Sequence, residues 1–226
     1  DDTDIIIMMA PSVDLTKEAV DNLSAWLSND GSLGRTLVYV PFDHAEETPN
    51  IDLFLEQWGL KVGEGYISEN DLTKGLAMMG EESKVCSMMD YYDETYTEGL
   101  TDKSLSVLMP YCMPIEILDE EKATPLLQSS DTADIIIPSE DTDADHEYIK
   151  SDGTPHNAAV VSTNTNDNEE SSQVIVWGSY DGLSNKWLYS SYSANINNTA
   201  YFVNLLNTLT DNDAMIFVES VQVGGD

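Results

Sequence analysis

The 226-residue chain carries 42 Asp and Glu against 9 Lys and Arg, a formal net charge of −33. A nucleic-acid binder needs a basic face to displace phosphate counterions, and a peripheral protein on anionic lipid needs a polybasic patch, so both classes are excluded. With 41% hydrophobic residues, including 4 Trp, 11 Tyr, 4 Phe and 9 Met, the chain nonetheless has the apolar mass to fold around a core, as one domain over residues 1–226.

Residues 4–11 (DIIIMMAP) form a continuous apolar run closed by Pro, which predicts a strand buried on both faces. Thr16 is placed to cap a helix with Ala19, Val20, Leu23, Trp26 and Leu27 at helical spacing, stopped at Asp30-Gly31. Residues 36–40 (TLVYV) predict a second buried strand running into Pro41-Phe42-Asp43, and the three elements make a βαβ unit. Pro49 opens a short helix carrying Ile51, Leu53, Phe54, Leu55 and Trp58, stopped by Gly59 before a strand over 61–67. Further strands are expected at 84–89, 105–109, 115–118 and 125–127, with a Tyr- and acid-rich loop over 90–102. Residues 129–157 and 162–172 are rich in Asp, Ser and Asn and read as surface loops, with a short strand at 158–161 between them. Residues 173–177 (QVIVW) predict another apolar strand, followed by 178–182 (GSYDG) and a helix. A last helix over 198–209 places Tyr201, Phe202, Leu205, Leu206 and Leu209 on one face, and 214–218 (AMIFV) closes the sheet or forms its edge. Strands alternating with helices define an α/β fold.

No apolar run approaches the roughly 20 residues that span a bilayer. The chain begins at Asp1 without an initiator Met or a signal peptide and reads as a fragment of a longer protein. Cys86 and Cys112 are too few for a zinc cluster or a disulfide framework; they are two buried thiols or a single disulfide.

Little in the chain suggests catalysis. The three His, at 44, 146 and 156, lie in polar contexts, and the nearest approach to a G-x-S-x-G elbow, residues 178–182, has Ser179 one position early and Tyr180 at the elbow. Asp141, Asp143 and Asp145 match part of a calcium loop, but His146 stands where the loop needs Gly and Asp152 where it needs a bidentate Glu, so an exposed acidic loop is the simpler reading. No glycine-rich phosphate loop follows the first strand. Open parallel sheets bind ligands at the carboxyl ends of their strands, where this chain places Ser12, Asp43, Asp181, Ser184 and Asn185; as turn and cap residues these need no ligand.

Three stretches together resemble the GldG-like auxiliary components of ABC transporters, a family first associated with gliding motility. They are DIIIMMAPSVDLTKEAVDNLSAWLSNDG with TLVYVPFD, PNIDLFLEQWGLKVGEGYI, and SQVIVWGSYDGLSNKWLYSSYSANINNTAYFVNLLNTLT, the last with Ser184-Asn185 and Asn204-Leu205-Leu206 in register. Where the family has Gly before the proline of its first strand this chain has Ala10, and its Gly-Gly before the second strand is replaced by residues 30–35 (DGSLGR). The resemblance implies a flavodoxin-like α/β domain, a mostly parallel sheet with helices on both faces, related to class I glutamine amidotransferase-like folds. It also implies a non-catalytic accessory role beside ABC permease and ATPase subunits, without a cofactor, on the extracellular side of the cytoplasmic membrane, anchored by transmembrane helices outside this fragment. Two other functions remain open. One is a carbohydrate- or solute-binding module in which Trp177, Trp187, Tyr189 and Tyr192 stack on sugar faces. The other is a degenerate amidotransferase-like enzyme, which needs Cys86 or Cys112 to meet a His.

The acidic excess concentrates at 90–102, 116–121, 131–152 and 167–170. Solubility of a domain exposed outside the cell explains it; salt adaptation is the alternative, disfavoured by eight Lys to one Arg and by abundant Ile, Asn and Tyr.

Overall fold

The computed structural model describes residues 3–42, 47–75, 84–92, 94–139, 146–188 and 195–209. In chain order these form β1 (Ile5–Met9), α1 (Lys17–Ser28), β2 (Thr36–Val40), α2 (Pro49–Gln57), β3 (Leu60–Val62) and β4 (Tyr66–Ser68). There follow β5 (Cys86–Tyr91), β6 (Val107–Pro110), β7 (Ile115–Ile117), β8 (Ala123–Gln128), β9 (Asp134–Ile137) and β10 (Glu147–Ile149). The chain then makes β11 (Asn157–Thr165), β12 (Ser171–Trp177), α3 (Asn185–Leu188) and α4 (Asn198–Leu209).

Seven strands build the main sheet in the order β1-β2-β12-β11-β8-β5-β6. The β1–β2 and β2–β12 pairs are parallel, while β12–β11, β11–β8, β8–β5 and β5–β6 are antiparallel. The expectation of a flavodoxin-like, mostly parallel sheet is therefore wrong: this is a mixed sheet in which antiparallel pairs predominate. The cause lies in the connections. A parallel neighbour needs a crossover of a dozen or more residues, usually a helix, and among the described residues no α-helix lies between β5 and β12. Two small antiparallel sheets complete the fold, β10-β9-β4 and β3-β7.

Period-two alternation sorts the central strands into two cores. Leu37, Tyr39, Val160, Val174 and Val176 face α1 and α2, meeting Leu27, Ile51, Phe54 and Leu55. Val38, Val40, Ala159, Val161, Ile175 and Trp177 face the other way, against Tyr201 and Leu205 of α4 and against Ile67 and Ile135 of the β4–β9 pair. Trp177 and Tyr201 are fully buried, with their ring centroids 6.3 Å apart. Burial of each such side chain contributes about 1.5–3 kcal/mol.

Polar side chains join the helices to the sheet. Thr16 caps α1 as expected, accepting from the Ala19 N–H at 3.2 Å. At the other end the buried Ser172 hydroxyl of β12 donates to Leu27 O at 2.7 Å, and Ser162 of β11 donates to Trp58 O at 2.6 Å, so sheet serines satisfy carbonyls left open where α1 and α2 end. The first turn of α2 is capped from a distance. Its own flanking residue, Thr48, makes no capping bond, and the Asp14 carboxylate instead accepts from Asn50 N–H (2.9 Å) and Ile51 N–H (3.2 Å). A carboxylate there also complements the positive end of the helix.

Other expectations are corrected locally. β1 is an edge strand and not buried on both faces, since Ile7 and Met9 remain 43% and 42% exposed. The strand expected over 61–67 splits into β3 and β4, in different sheets, where Gly63 and Gly65 turn the chain; Gly65 has φ +73°, and a Cβ there would collide with Ile136 O. The stretch 129–157, expected to be loop, contributes β9 and β10. The candidate strand at 214–218 lies outside the described residues.

Two stability effects follow. Asp14→Ala removes two charge-assisted caps and is expected to cost about 1–2 kcal/mol, read as a lower denaturant midpoint at unchanged m-value. Ala10, where the resembled family has Gly, holds φ 45°, a left-handed conformation that Gly adopts without strain. Ala10→Gly should raise stability by up to about 1 kcal/mol in the same denaturation series.

Candidate functional site

A cleft of about 810 Å3 opens at the carboxyl ends of β2 and β12, where β2 runs into Pro41-Phe42 and β12 into Gly178 and Tyr180-Asp181. Its other walls come from Tyr66 and Ser68 of β4, Ile136 of β9, Tyr148 of β10, Lys84 and Val85 ahead of β5, and the link 110–113 that follows β6. Five aromatic rings, Phe42, Tyr66, Tyr111, Tyr148 and Tyr180, reach it from five separate segments. Phe42 meets Tyr180 edge to face with centroids 6.3 Å apart, and Tyr66 meets Tyr111 likewise at 5.6 Å. Tyr148 and Tyr180 each remain 45% exposed, so the cleft keeps ring faces in solvent that a core would have covered.

Tyr111 holds φ 48°, a left-handed backbone costing about 1–2 kcal/mol for a bulky residue. The Tyr111 N–H bond to Val85 O at 2.8 Å and the Tyr66 ring contact hold it there, and backbone strain of this kind concentrates at sites of function.

The small sheet that forms one wall is pinned electrostatically. Asp134 of β9, 6% exposed at its side chain, accepts from Lys150 Nζ at 2.7 Å and from Ser151 N–H at 3.0 Å. Burial opposes its ionisation, but the Lys150 ammonium and the other donors outweigh burial and bring the carboxyl down to about 2. Lys150 also lies 4.7 Å from the centre of the Tyr148 ring, which positions that ring at the cleft. Next to β4, the buried Glu69 carboxylate accepts from Ser130 Oγ (2.6 Å), Ser130 N–H (3.1 Å) and Asp71 N–H (2.9 Å), joining the end of β4 to the β8–β9 connection.

Of the residues predicted at strand ends, Asp181 lines the cleft. Its carbonyl accepts from Ser184 N–H at 2.9 Å, closing a 3-10 turn over Asp181–Leu183. Ser184 and Asn185 lie just beyond at the start of α3 and are not part of the lining; the Ser184 hydroxyl is buried and has no partner among the described residues. Ser12 is exposed in the bend after β1 and also lies off the cleft. Asp43 and the calcium candidates Asp141, Asp143 and Asp145 fall outside the described residues, as do His44, Tyr189 and Tyr192. Among the described residues no group of three His, Cys, Asp or Glu is placed to hold a metal, and no helix is long and apolar enough to cross a membrane.

Trp177 and Trp187, the platforms that the carbohydrate-module alternative would need, are fully buried and belong to the packing; Trp177 lies edge to face on Phe202 at 5.4 Å. Their place is taken by tyrosines from strands and links that share no sequence period. Both cysteines are buried and are not disulfide-linked to each other, and burial pushes the Cys112 thiol far above its ordinary value. Neither lines the cleft alongside His146. Ser179 is buried too, donating to Pro110 O and accepting the Gly182 N–H at 3.0 Å, so its hydroxyl serves the turn.

No protein-family model and no curated protein matches the chain. Among solved structures it is similar to one described as the mmIFT52 N-terminal domain, with a TM-score of 0.63 and 15% sequence identity, covering 93% of this chain and 78% of that one. At that identity the likeness concerns the fold alone, and it sets the architecture beside that domain.

The Asp134 carboxyl, depressed when folded to about 2 from an ordinary ~3.9, contributes stability that is fully present above about pH 4 and is lost as pH falls through about 2. Asp134→Asn should therefore be less stable than the wild type at pH 7, with the gap narrowing between about pH 4 and pH 2. Denaturant titrations of both proteins across that window measure it; a gap independent of pH would contradict the assignment.

Proposed function

We propose that the domain is a non-catalytic recognition module that holds a saccharide-like solute in the aromatic cleft, as the accessory part of an ABC-type transport system. The observation that carries the binding role is the convergence of five aromatic rings from five segments on one cleft at the strand ends. Its size suits a ligand of a few sugar units, and its shape, apolar walls with a few converging polar groups, is that of a solute site. Half-exposed tyrosines offer flat apolar faces to the C–H faces of a sugar ring, while their hydroxyls and Asp181 supply hydrogen bonds to its hydroxyls. The non-catalytic part is supported by the engagement of Ser179 in its turn and by the burial of both thiols. The transport context, with permease and ATPase subunits as partners and a position outside the cytoplasmic membrane, is supported by the three stretches that resemble GldG-like auxiliary components.

A thermal-shift and calorimetric screen of soluble oligosaccharides tests the reading, since a ligand that binds the native state raises its midpoint. At least one member should bind. Tyr148→Ala and Tyr180→Ala, which remove exposed rings, should each weaken that binding about tenfold or more while changing the stability of the free protein by less than about 1 kcal/mol. A flat response across the screen, or binding indifferent to both substitutions, contradicts it.

A further inference from the structure

The described lining of the cleft lacks the acidic excess of the chain that builds it. Acids outnumber Lys and Arg by 42 to 9 overall, whereas the described lining residues include one carboxylate, Asp181, one lysine, Lys84, and one histidine, His146. Lys84 is also set apart from other lysines. Lys17, Lys61, Lys74, Lys122 and Lys150 each pair with a carboxylate, of Asp21, Glu116, Asp90, Asp119 and Asp134 respectively. Lys84 Nζ donates instead to the neutral amide oxygen of Asn70 at 3.2 Å, and among the described residues no carboxylate pairs with it. Its backbone is fixed, with Lys84 O accepting from Glu69 N–H at 2.8 Å and from Ser87 Oγ at 2.5 Å. His146 is oriented by its Nδ1, which accepts from Ser139 N–H at 3.3 Å. In the neutral ring this leaves the proton on Nε2, a hydrogen-bond donor.

An ammonium that pairs with no carboxylate among the described residues and an imidazole N–H on the same cleft are two donors suited to an anionic oxygen pair. The net charge of −33 does not cancel this preference. At physiological ionic strength charges interact over about 8 Å, so groups in the cleft wall act at contact while charges of the chain farther than that are largely screened.

Resting on the saccharide reading above, we propose that the ligand of the cleft is a carboxylated sugar: aromatic rings hold the sugar face, and Lys84 with His146 binds its carboxylate. The test uses the whole chain in calorimetric titrations with tetrameric uronic-acid oligosaccharides, each run beside its own methyl ester, which keeps the shape and removes the charge. At least one acid form is expected to bind about tenfold or more tightly than its ester. Lys84→Met, a change at an exposed side chain that keeps the length of the stem, should bring the acid form to within about twofold of the ester measured on the same variant. His146→Gln should reduce the same preference, and circular dichroism of both variants confirms that they fold. Equal affinity for acid and ester, or an acid preference that survives Lys84→Met, overturns the carboxylate assignment and leaves the saccharide reading intact. Failure of every acid, ester and neutral oligosaccharide to bind removes the saccharide reading and this inference with it.

Discussion

The structure turns on the close backbone approach at Gly178. Its N–H bonds to Ala158 O at 2.9 Å, its carbonyl accepts from Met113 N–H at 2.9 Å, and a Cβ there would collide with Met113 O and stand 2.9 Å from both Ala158 O and Cys112 Sγ. Three segments meet at this point: the end of β12, the start of β11, and the link 110–114 that leaves the main sheet for the small ones. The same link hydrogen-bonds Ile67 N–H through Cys112 O and Gly63 N–H through Pro114 O, both at 2.8 Å, so β4 and its sheet hang from it. No side chain larger than hydrogen allows that junction.

The cleft is a consequence of the junction. Gly178 lies in the cleft wall, with Tyr111 and Met113 on one side and Tyr180 and Asp181 on the other. Because β4, β9 and β10 form a separate small sheet, their side chains Tyr66, Ile136 and Tyr148 stand across from the ends of β2 and β12. A continuous sheet would have covered these rings. On the far edge of the main sheet a different device operates: the buried Asn198 amide at the start of α4 accepts from Leu108 N–H at 2.8 Å and donates to Leu108 O and Gly182 O at 2.7 Å, imitating a further strand along β6. One edge is thus closed by a side chain, and the polar cost of ending the sheet there is met internally.

The legible parts of the fold are those whose period is strong and local. The first βαβ unit, the fully buried strand Thr36–Val40 and α4, with Tyr201 and Leu205 turned inward, follow from apolar spacing and caps alone. What failed depended on distant partners. The small sheet was hidden because the apolar Asp134–Ile137 sits in an acidic stretch, although its DIII repeats the opening of the first strand run, and its burial requires β4, more than sixty residues away. Strand direction failed for a related reason: one parallel unit and a resemblance pointed one way, while among the described residues between β5 and β12 there is no crossover helix to make the later pairs parallel. In the site, Asp181 was legible because a rule about strand ends applies to it. Tyr66, Tyr111 and Tyr148 were not, since they come from three unrelated segments and only the folded chain brings them to one wall. The tryptophans pointed elsewhere because ring size does not tell a platform from a core; only exposure does.

The central claim is that this wall of tyrosines meets a ligand as a single surface. Ring-labelled tyrosine resonances followed by NMR during titration with the tightest-binding oligosaccharide test it most directly. The account predicts perturbations in the rings of Tyr66, Tyr111, Tyr148 and Tyr180, saturating together at one concentration, with the buried Tyr39 and Tyr201 unmoved. Perturbations centred on other tyrosines, or saturating at separate concentrations across these four, would contradict it.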